Sequence, residues 1–254
     1  STRLVAPILG SKAVFVAPNT GPNPQQLPRW DTWQSMVPRC GLTPYTAIYG
    51  LIGHPTDQSP GHRYHNRAFQ QAKRNAVYVK WDLPPAALDS AKSYLEALNI
   101  AGLSVTMPFK ATVQSWCHPP APGPMNTLLR HGSHWIGINT DGLGMRSVLA
   151  QDHNDWPQSV LILGAGGSAI AIAQALCQQN IDVSIANRSE RPPTLSASLP
   201  YYRYDQDPPT APFACMISTL PADAKITARL KRFLTPILAN RPQVVAIAHG
   251  PSPF

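Results

Sequence analysis

Charge is scarce in this chain. Only 13% of its 254 residues are Asp, Glu, Lys or Arg, and 21 basic against 13 acidic residues leave a net charge of +8. The basic residues are scattered, with no dense block and no interleaved aromatic platform. That argues against a nucleic-acid partner and favours anionic small molecules. Cysteine is sparse too. Cys40, Cys117, Cys177 and Cys215 lie far apart without metal-type spacing, so free thiols in a reducing compartment are expected. His54, His62 and His65 are the nearest thing to a metal-ligand cluster, but only His62 and His65 suit one helical face, and no metal site is expected. No apolar run approaches the ~20 residues needed to span a membrane. The opening residues lack a secretory signal pattern. The expectation is a cytoplasmic protein with no membrane or nucleic-acid partner, acting as a monomer or homodimer. There is no internal repeat.

Proline, by contrast, is abundant: 28 residues, clustering at 18–28, 117–124, 192–212 and 242–253. Such clusters mark loops and joints. The length allows two modest domains.

The most informative stretch is 160–189, VLILGAGGSAIAIAQALCQQNIDVSIANRS. Val160, Leu161, Ile162 and Leu163 form the short apolar run of a buried parallel strand. Gly164, Ala165, Gly166, Gly167, Ser168 and Ala169 come next, then a helical pattern with Ala169, Ile172, Ala173 and Leu176 on one face. A second strand, 181–186, completes a βαβ unit. In such a unit Gly164 permits a sharp turn and Gly166 removes a side chain where a pyrophosphate must approach. Ala169 lets helix and strand pack closely, and the helix N-terminus offers its amides to phosphate. An NAD site places a carboxylate after the second strand. This chain has Asn187, Arg188 and Ser189 there, with Arg191 nearby. A guanidinium suits a 2′-phosphate, so the expected cofactor is NADP.

Strands and helices also alternate upstream. Strands are expected at 47–53, 77–81, 102–106, 126–129 and 135–141, the last two joined by a turn at 130–134. Helices are expected at 62–73, at 85–98 with Leu88, Ala91, Tyr94, Leu95 and Leu98 on one side, and from 142 to about 150. This reads as a second α/β layer structure. Ser59, Thr106, Lys110, Asn126 and Asp141 all fall just after expected strands, where ligands of such sheets sit. Residues 1–45 cannot bury a core alone. They contain short apolar segments at 4–9 and 13–16, a Pro/Gln loop at 19–28 and one short helix at 31–37, and either dock on the rest of the chain or hang loose. The expected domains are therefore 1–45, 46–145 and 146–254.

The motifs GLIGHPTDQSPGHRYHN, GLSVTMPFK, MNT, GINTDGLG, LGAGG and NRS occur in the order and approximate spacing of the shikimate dehydrogenase family, which this chain resembles over roughly 47–221. The resemblance implies two α/β domains, an N-terminal one binding shikimate or 3-dehydroshikimate and a C-terminal Rossmann one binding NADP, with hydride passing across the cleft between them. It implies that Lys110 and Asp141 are the catalytic pair. Lys110 would move the proton, and Asp141 would orient it and bond a substrate hydroxyl, a division of labour that the chemistry of alcohol oxidation accepts. Thr106 and Asn126 match positions that bond substrate hydroxyls. Ser59 matches the first of two hydroxyl residues that hold the substrate carboxylate. Taken alone, a lysine after a strand is ordinarily a solvated charge, and an Asp in NTDG ordinarily a helix cap. Residues 1–45, with STRLVAPILGSKAVFVA and NPQQLP, resemble the tail of a type I 3-dehydroquinate dehydratase barrel, as in plant and chlamydial two-activity proteins. Arg3 and Gln26 fall where that family contacts substrate. A plastid location would follow for a plant-type source. The barrel's catalytic lysine and histidine would lie upstream, so no dehydratase activity is expected.

The family pattern breaks in three places. Gly61 stands where the second carboxylate-binding hydroxyl belongs. The segment between Lys110 and Asn126 is short and proline-rich. The chain ends at Phe254, where the family continues into a helix that returns a glutamine to the substrate; Gln243 is a poor counterpart. Two alternatives therefore stand beside shikimate dehydrogenase: a dehydrogenase of quinate or a related polyol acid, and a non-catalytic nucleotide-binding remnant.

Overall fold

The computed structural model describes residues 5–23, 27, 29–38, 41–120, 123–152, 156–210, 212–221 and 224–247. Arg3, Gln26 and Cys40 lie outside the described residues, as does the end of the chain beyond residue 247. The protein is α/β, with two five-stranded sheets. Contacts divide the chain into one unit of 1–121 and 126–138 and a second of 122–125 and 139–254.

In the first unit, strands β1 (Ala47–Gly53), β2 (Ala76–Asp82) and β3 (Gly102–Val105) pair in parallel. Strands β4 (Thr127–His131) and β5 (His134–Ile138) add an antiparallel hairpin, giving the order β2-β1-β3-β4-β5. The helices are α1 (Trp30–Met36), α2 (Gly61–Gln71) and α3 (Leu88–Ala97). Gly50 is dictated by packing, because a Cβ there would lie 2.0 Å from the Trp81 ring and 2.5 Å from the Val79 carbonyl. On α3, Leu88, Ala91 and Leu95 are buried, but Tyr94, expected on the same side, is 72% exposed. At about 100° per residue, Tyr94 sits roughly 100° from the centre of that stripe.

The docking of 1–45 is visible in its described part. Val5, Ala17 and Met36 are buried, and Gln70 of α2 donates to the carbonyls of Ser35 and Val37. The edge strand β2 is protected by one side chain. Asn66 of α2, 1% exposed, donates to the Tyr78 carbonyl and accepts from the Tyr78 amide, both at 2.8 Å. An edge strand otherwise presents such groups unpaired.

In the second unit all five strands are parallel, in the order β10-β9-β6-β7-β8. They are β6 (Ser159–Leu163), β7 (Asp182–Asn187), β8 (Tyr201–Arg203), β9 (Cys215–Ser218) and β10 (Gln243–Ala246). From β6 the chain winds outward through β7 and β8, then restarts at β9 on the other side, as in a Rossmann half. The helices are α4 (Asp141–Asp152), α5 (Gly167–Cys177) and α6 (Ala228–Ala239). Alternate residues of β6 face opposite layers. Val160 and Ile162 join the core with Met145, Ile172 and Leu176, whereas Leu161 and Leu163 pack with Phe233, Leu234 and Ile237. The boundary expected at 145/146 falls inside α4, and contacts place the whole helix with the second unit. The reason is close packing: a Cβ on Gly142 would lie 2.6 Å from the Ala175 Cβ and 2.7 Å from the Ala171 carbonyl of α5. The proline-rich 192–212, expected as a joint, contains β8. Cys117, Cys177 and Cys215 are free thiols, and burial pushes each pKa up.

Replacing Asn66 with Ala leaves the Tyr78 amide and carbonyl without partners and is expected to destabilise the first unit by about 2 kcal/mol or more. Urea unfolding followed by tryptophan fluorescence checks this. An unchanged midpoint would show that the bond pair contributes nothing.

Candidate active site

The loop after β1 is held from β2. The Lys80 ammonium donates to the carbonyls of Thr56, Asp57 and Ser59 at 3.0, 3.2 and 3.5 Å. The Asp82 carboxylate accepts from the Thr56 amide at 2.9 Å and pairs with His54 Nδ1 at 2.6 Å. These contacts, the Thr56 amide first and the His54 ring next, hold the Asp82 carboxyl below the usual aspartate range. Ser59, at the end of this loop, is therefore placed by two charged side chains that no local motif marks.

Thr106 follows β3 beside that loop. Its amide donates to the Ile52 carbonyl, and the His54 amide donates to the Met107 carbonyl. Space is tight here: a Cβ on Gly53 would lie 2.2 Å from the Thr106 methyl. Lys110 sits half-buried on the next turn, which is anchored by Phe109 (2% exposed) and by the Phe109 amide donating to the Thr106 carbonyl. Asn126 leads into β4. Its carbonyl accepts from the Val105 amide at 2.7 Å and its own amide donates to the Ile138 carbonyl at 3.2 Å, so its backbone is pinned to the ends of β3 and β5. Ser59, Thr106, Lys110 and Asn126 thus all belong to the first unit, around the ends of β1 and β3. Asp141 belongs to the second. It is the first residue of α4, and its amide donates at 2.9 Å to Oδ1 of Asn139, the residue after β5.

Gly61 opens α2 with room above it. A Cβ there would meet Ser59 Oγ at 3.6 Å and the Tyr78 hydroxyl at 3.9 Å, both ordinary contacts. Tyr78 is 4% exposed, bonds to Ser104, and has its pKa pushed up to about 12 by burial. The His65 ring stacks on it at 4.4 Å. His62 Nδ1 is buried near Ser59 with no hydrogen bond of good geometry. Burial lowers the pKa of both histidines, assisted at His62 by Lys80, so both are neutral at pH 7. Among the described residues no group of three or more His, Cys, Asp and Glu could hold a metal.

In the second unit, Gly164 follows β6 at φ +101°, a conformation that favours glycine, and a Cβ there would lie 2.4 Å from Thr219 Oγ1. Gly166 differs. Its backbone is extended, and a Cβ would meet nothing within 4 Å. Ala165 is half-buried, Ala169 is fully buried, and Gly167 and Ser168 open α5. The open space over Gly166 and the uncapped N-terminus of α5 fit a dinucleotide pyrophosphate, whose charge the helix amides would hold.

Asn187 ends β7, and its carbonyl accepts from the Tyr204 amide; the Ser189 carbonyl accepts from the Tyr201 hydroxyl. Arg188 is exposed and lines a hollow of about 440 Å³ with Tyr204, Asp205, Thr227, Ala228 and Arg229. Arg191 serves its own loop. Its guanidinium donates to the carbonyls of Ser196 and Leu199, both at 2.7 Å, and lies over the Tyr201 ring. Arg229, in α6 and distant in sequence, is the second guanidinium at the hollow; no local motif marks it.

Residues 51–122 match the shikimate dehydrogenase substrate binding domain. The likeness is to shikimate dehydrogenase. Over 154 residues the chain is 37% identical to the shikimate dehydrogenase (NADP(+)) of Anaeromyxobacter sp. strain K, covering 59% of this chain and 55% of that protein. The chain thus spans about half the length of the curated relatives it matches. Its fold resembles shikimate dehydrogenase 1 of Peptoclostridium difficile, with a TM-score of 0.65 at 18% identity over 79% of this chain and 85% of that one. It also resembles the shikimate 5-dehydrogenase of Thermus thermophilus in complex with NADP(H) and shikimate, with a TM-score of 0.61 at 22% identity over 78% and 86%. At such identities the structural likeness speaks for the fold.

The two glycines of the turn separate by experiment. Gly166→Val is expected to leave the thermal midpoint unchanged while weakening NADPH binding at least tenfold, because the new side chain enters the open space. Gly164→Ala is expected to lower the midpoint through strain at positive φ and the Thr219 clash. Calorimetric melting and titration of both variants check this, and equal effects on stability would contradict it.

Acid should loosen the first unit. His62 and His65 resist protonation when folded, so as pH falls below 6.5, the ordinary histidine value, the unfolded chain binds protons that the folded one refuses. Stability is expected to fall as pH is lowered from about 7.5 to about 5, read as the urea midpoint. A midpoint that rises over that range would contradict the sign.

Proposed function

We propose that this protein catalyses the NADP-dependent, reversible reduction of 3-dehydroshikimate to shikimate, a step toward chorismate and the aromatic amino acids. The observation that carries this reading is the set of Ser59, Thr106, Lys110 and Asn126 around the strand ends of a sheet within which residues 51–122 match the shikimate dehydrogenase substrate binding domain. NADP(H), when bound, supplies or accepts the hydride. Gly164 to Ala169, with Asn187, Arg188 and Ser189, would hold it.

The protein's own part is to bind and to move a proton. Lys110 gives a proton to the oxygen as the ketone is reduced and takes it back in the reverse direction. Asp141 orients that ammonium and accepts from a substrate hydroxyl. Thr106 and Asn126 bond the remaining hydroxyls, and Ser59 donates to the carboxylate. A cytoplasmic or plastid location and a monomer or homodimer are the states we propose. We also read residues 1–45 as the tail of a dehydratase barrel, supported by STRLVAPILGSKAVFVA and NPQQLP.

The test is the initial rate of NADPH oxidation with 3-dehydroshikimate. Lys110→Ala is expected to lower kcat by about 10²–10⁴-fold with NADPH affinity unchanged; retained turnover would remove Lys110 from the mechanism. Wild-type protein that binds NADPH but shows no turnover at millimolar substrate would favour a nucleotide-binding remnant instead.

The space at Gly61 favours a second reading, oxidation of quinate or a related polyol acid with a bulkier carboxylate end. Gly61→Ser would bring a hydroxyl beside Ser59 without a clash. It is expected to lower KM for shikimate by about tenfold, the worth of one bond to a charged group. Should Gly61→Ser instead raise KM for shikimate and abolish a wild-type quinate activity, the polyol-acid reading is the better one.

A further inference from the structure

The Arg188 hollow holds more than the strand-end motif supplies. The start of α6, a helix of twelve residues, also lines it. Thr227 caps that helix by accepting from the Leu230 amide at 3.2 Å, and Arg229 stands in its first turn, exposed to solvent. Tyr204 forms part of the floor. It is 9% exposed, and its hydroxyl is buried without a hydrogen bond of good geometry. One acidic residue, Asp205, also lines the hollow, but its carboxylate is taken by Arg203 at 2.6 Å, and Arg203 holds Glu190 as well. The hollow therefore combines two guanidiniums, a helix N-terminus and a buried hydroxyl beside the Gly164 backbone, with its one carboxylate neutralised from behind. Each of the four favours an anion with acceptor oxygens.

The other cation near the strand end is committed to its own loop. Arg191 spends its guanidinium on the carbonyls of Ser196 and Leu199. We propose that Arg229 is the second arm of a phosphomonoester grip with Arg188, so that discrimination for the 2′-phosphate of the dinucleotide rests on a residue of α6 and not on Arg191. This rests on the NADP reading above and extends it to a residue outside the strand-end motif. Arg188 approaches from the end of β7 and Arg229 from α6, so the phosphate would be held from two walls. A two-sided fork fixes a tetrahedral anion better than two cations on one loop, because each guanidinium keeps its planar geometry toward different oxygens.

The test is calorimetric titration of the full chain with adenosine 2′,5′-bisphosphate and with 5′-AMP, alongside NADPH and NADH. Wild-type protein is expected to prefer the 2′-phosphorylated member of each pair. Arg229→Gln is expected to weaken the 2′-phosphorylated ligands about tenfold and to leave 5′-AMP and NADH unchanged, whereas Arg229→Lys retains part of the preference. Arg191→Gln, if it folds with an unchanged melting midpoint, is expected to keep the full preference. In the double variant Arg188→Gln/Arg229→Gln the losses should not add, since one phosphate serves both arms. A wild-type preference lost in Arg188→Gln but intact in Arg229→Gln overturns the proposal and spares the NADP reading. A wild-type protein that binds both dinucleotides equally overturns both. An Arg229→Gln protein that loses 5′-AMP as strongly as the bisphosphate also overturns it, since the residue would then support the hollow and not read the phosphate.

Discussion

Because β2, β1 and β3 run parallel, as do all five strands of the second sheet, each sheet has one edge at which its parallel strands deliver the loops that come after them. Several candidate residues are a consequence of that geometry. Ser59 follows β1, Thr106 and Lys110 follow β3, the glycine turn follows β6 and Arg188 follows β7. In the second sheet the winding reverses between β6 and β9, and there Gly164 sits against Thr219. The left-handed turn and the reversal meet at one point, which aims the start of α5 at the place such sheets reserve for phosphates.

Position at a strand end is not enough for chemistry; the loops must also be held still. The protein does this with charged side chains inside the sheet edge. Lys80 ties three carbonyls of the 56–59 segment, Asp82 ties its amide, and Asn66 seals the strand that carries both. These residues have no proposed part in the chemistry, yet they decide where Ser59 points its backbone. Gly61 beside them leaves a space that a hydroxyl would fill, at a position where the family resemblance implies one.

Local features were legible in the sequence. The β6–α5–β7 unit was readable because an apolar run, a glycine turn and an apolar helical stripe are each written in consecutive residues, and all of Ala169, Ile172, Ala173 and Leu176 are fully buried. Features made by residues distant in the chain were not. Asn66 looks like any polar helix residue until β2 is placed beside it. Arg191 looks like a free cation until its loop folds back beneath it, and Arg229 acquires a partner only when α6 reaches the end of β7. Tyr94 misled because aromatic character suggested burial where the helical angle gives exposure. β8, three residues inside a proline-rich stretch, carries too little pattern to be seen at all.

The central claim is the proposed hydride transfer from NADPH to 3-dehydroshikimate. It is tested most directly by incubating the protein with 3-dehydroshikimate and NADPH doubly deuterated at C4, and reading the product by mass spectrometry. The account predicts shikimate carrying one deuterium on the reduced carbon. Unlabelled product, or none from protein that binds both ligands, would contradict it.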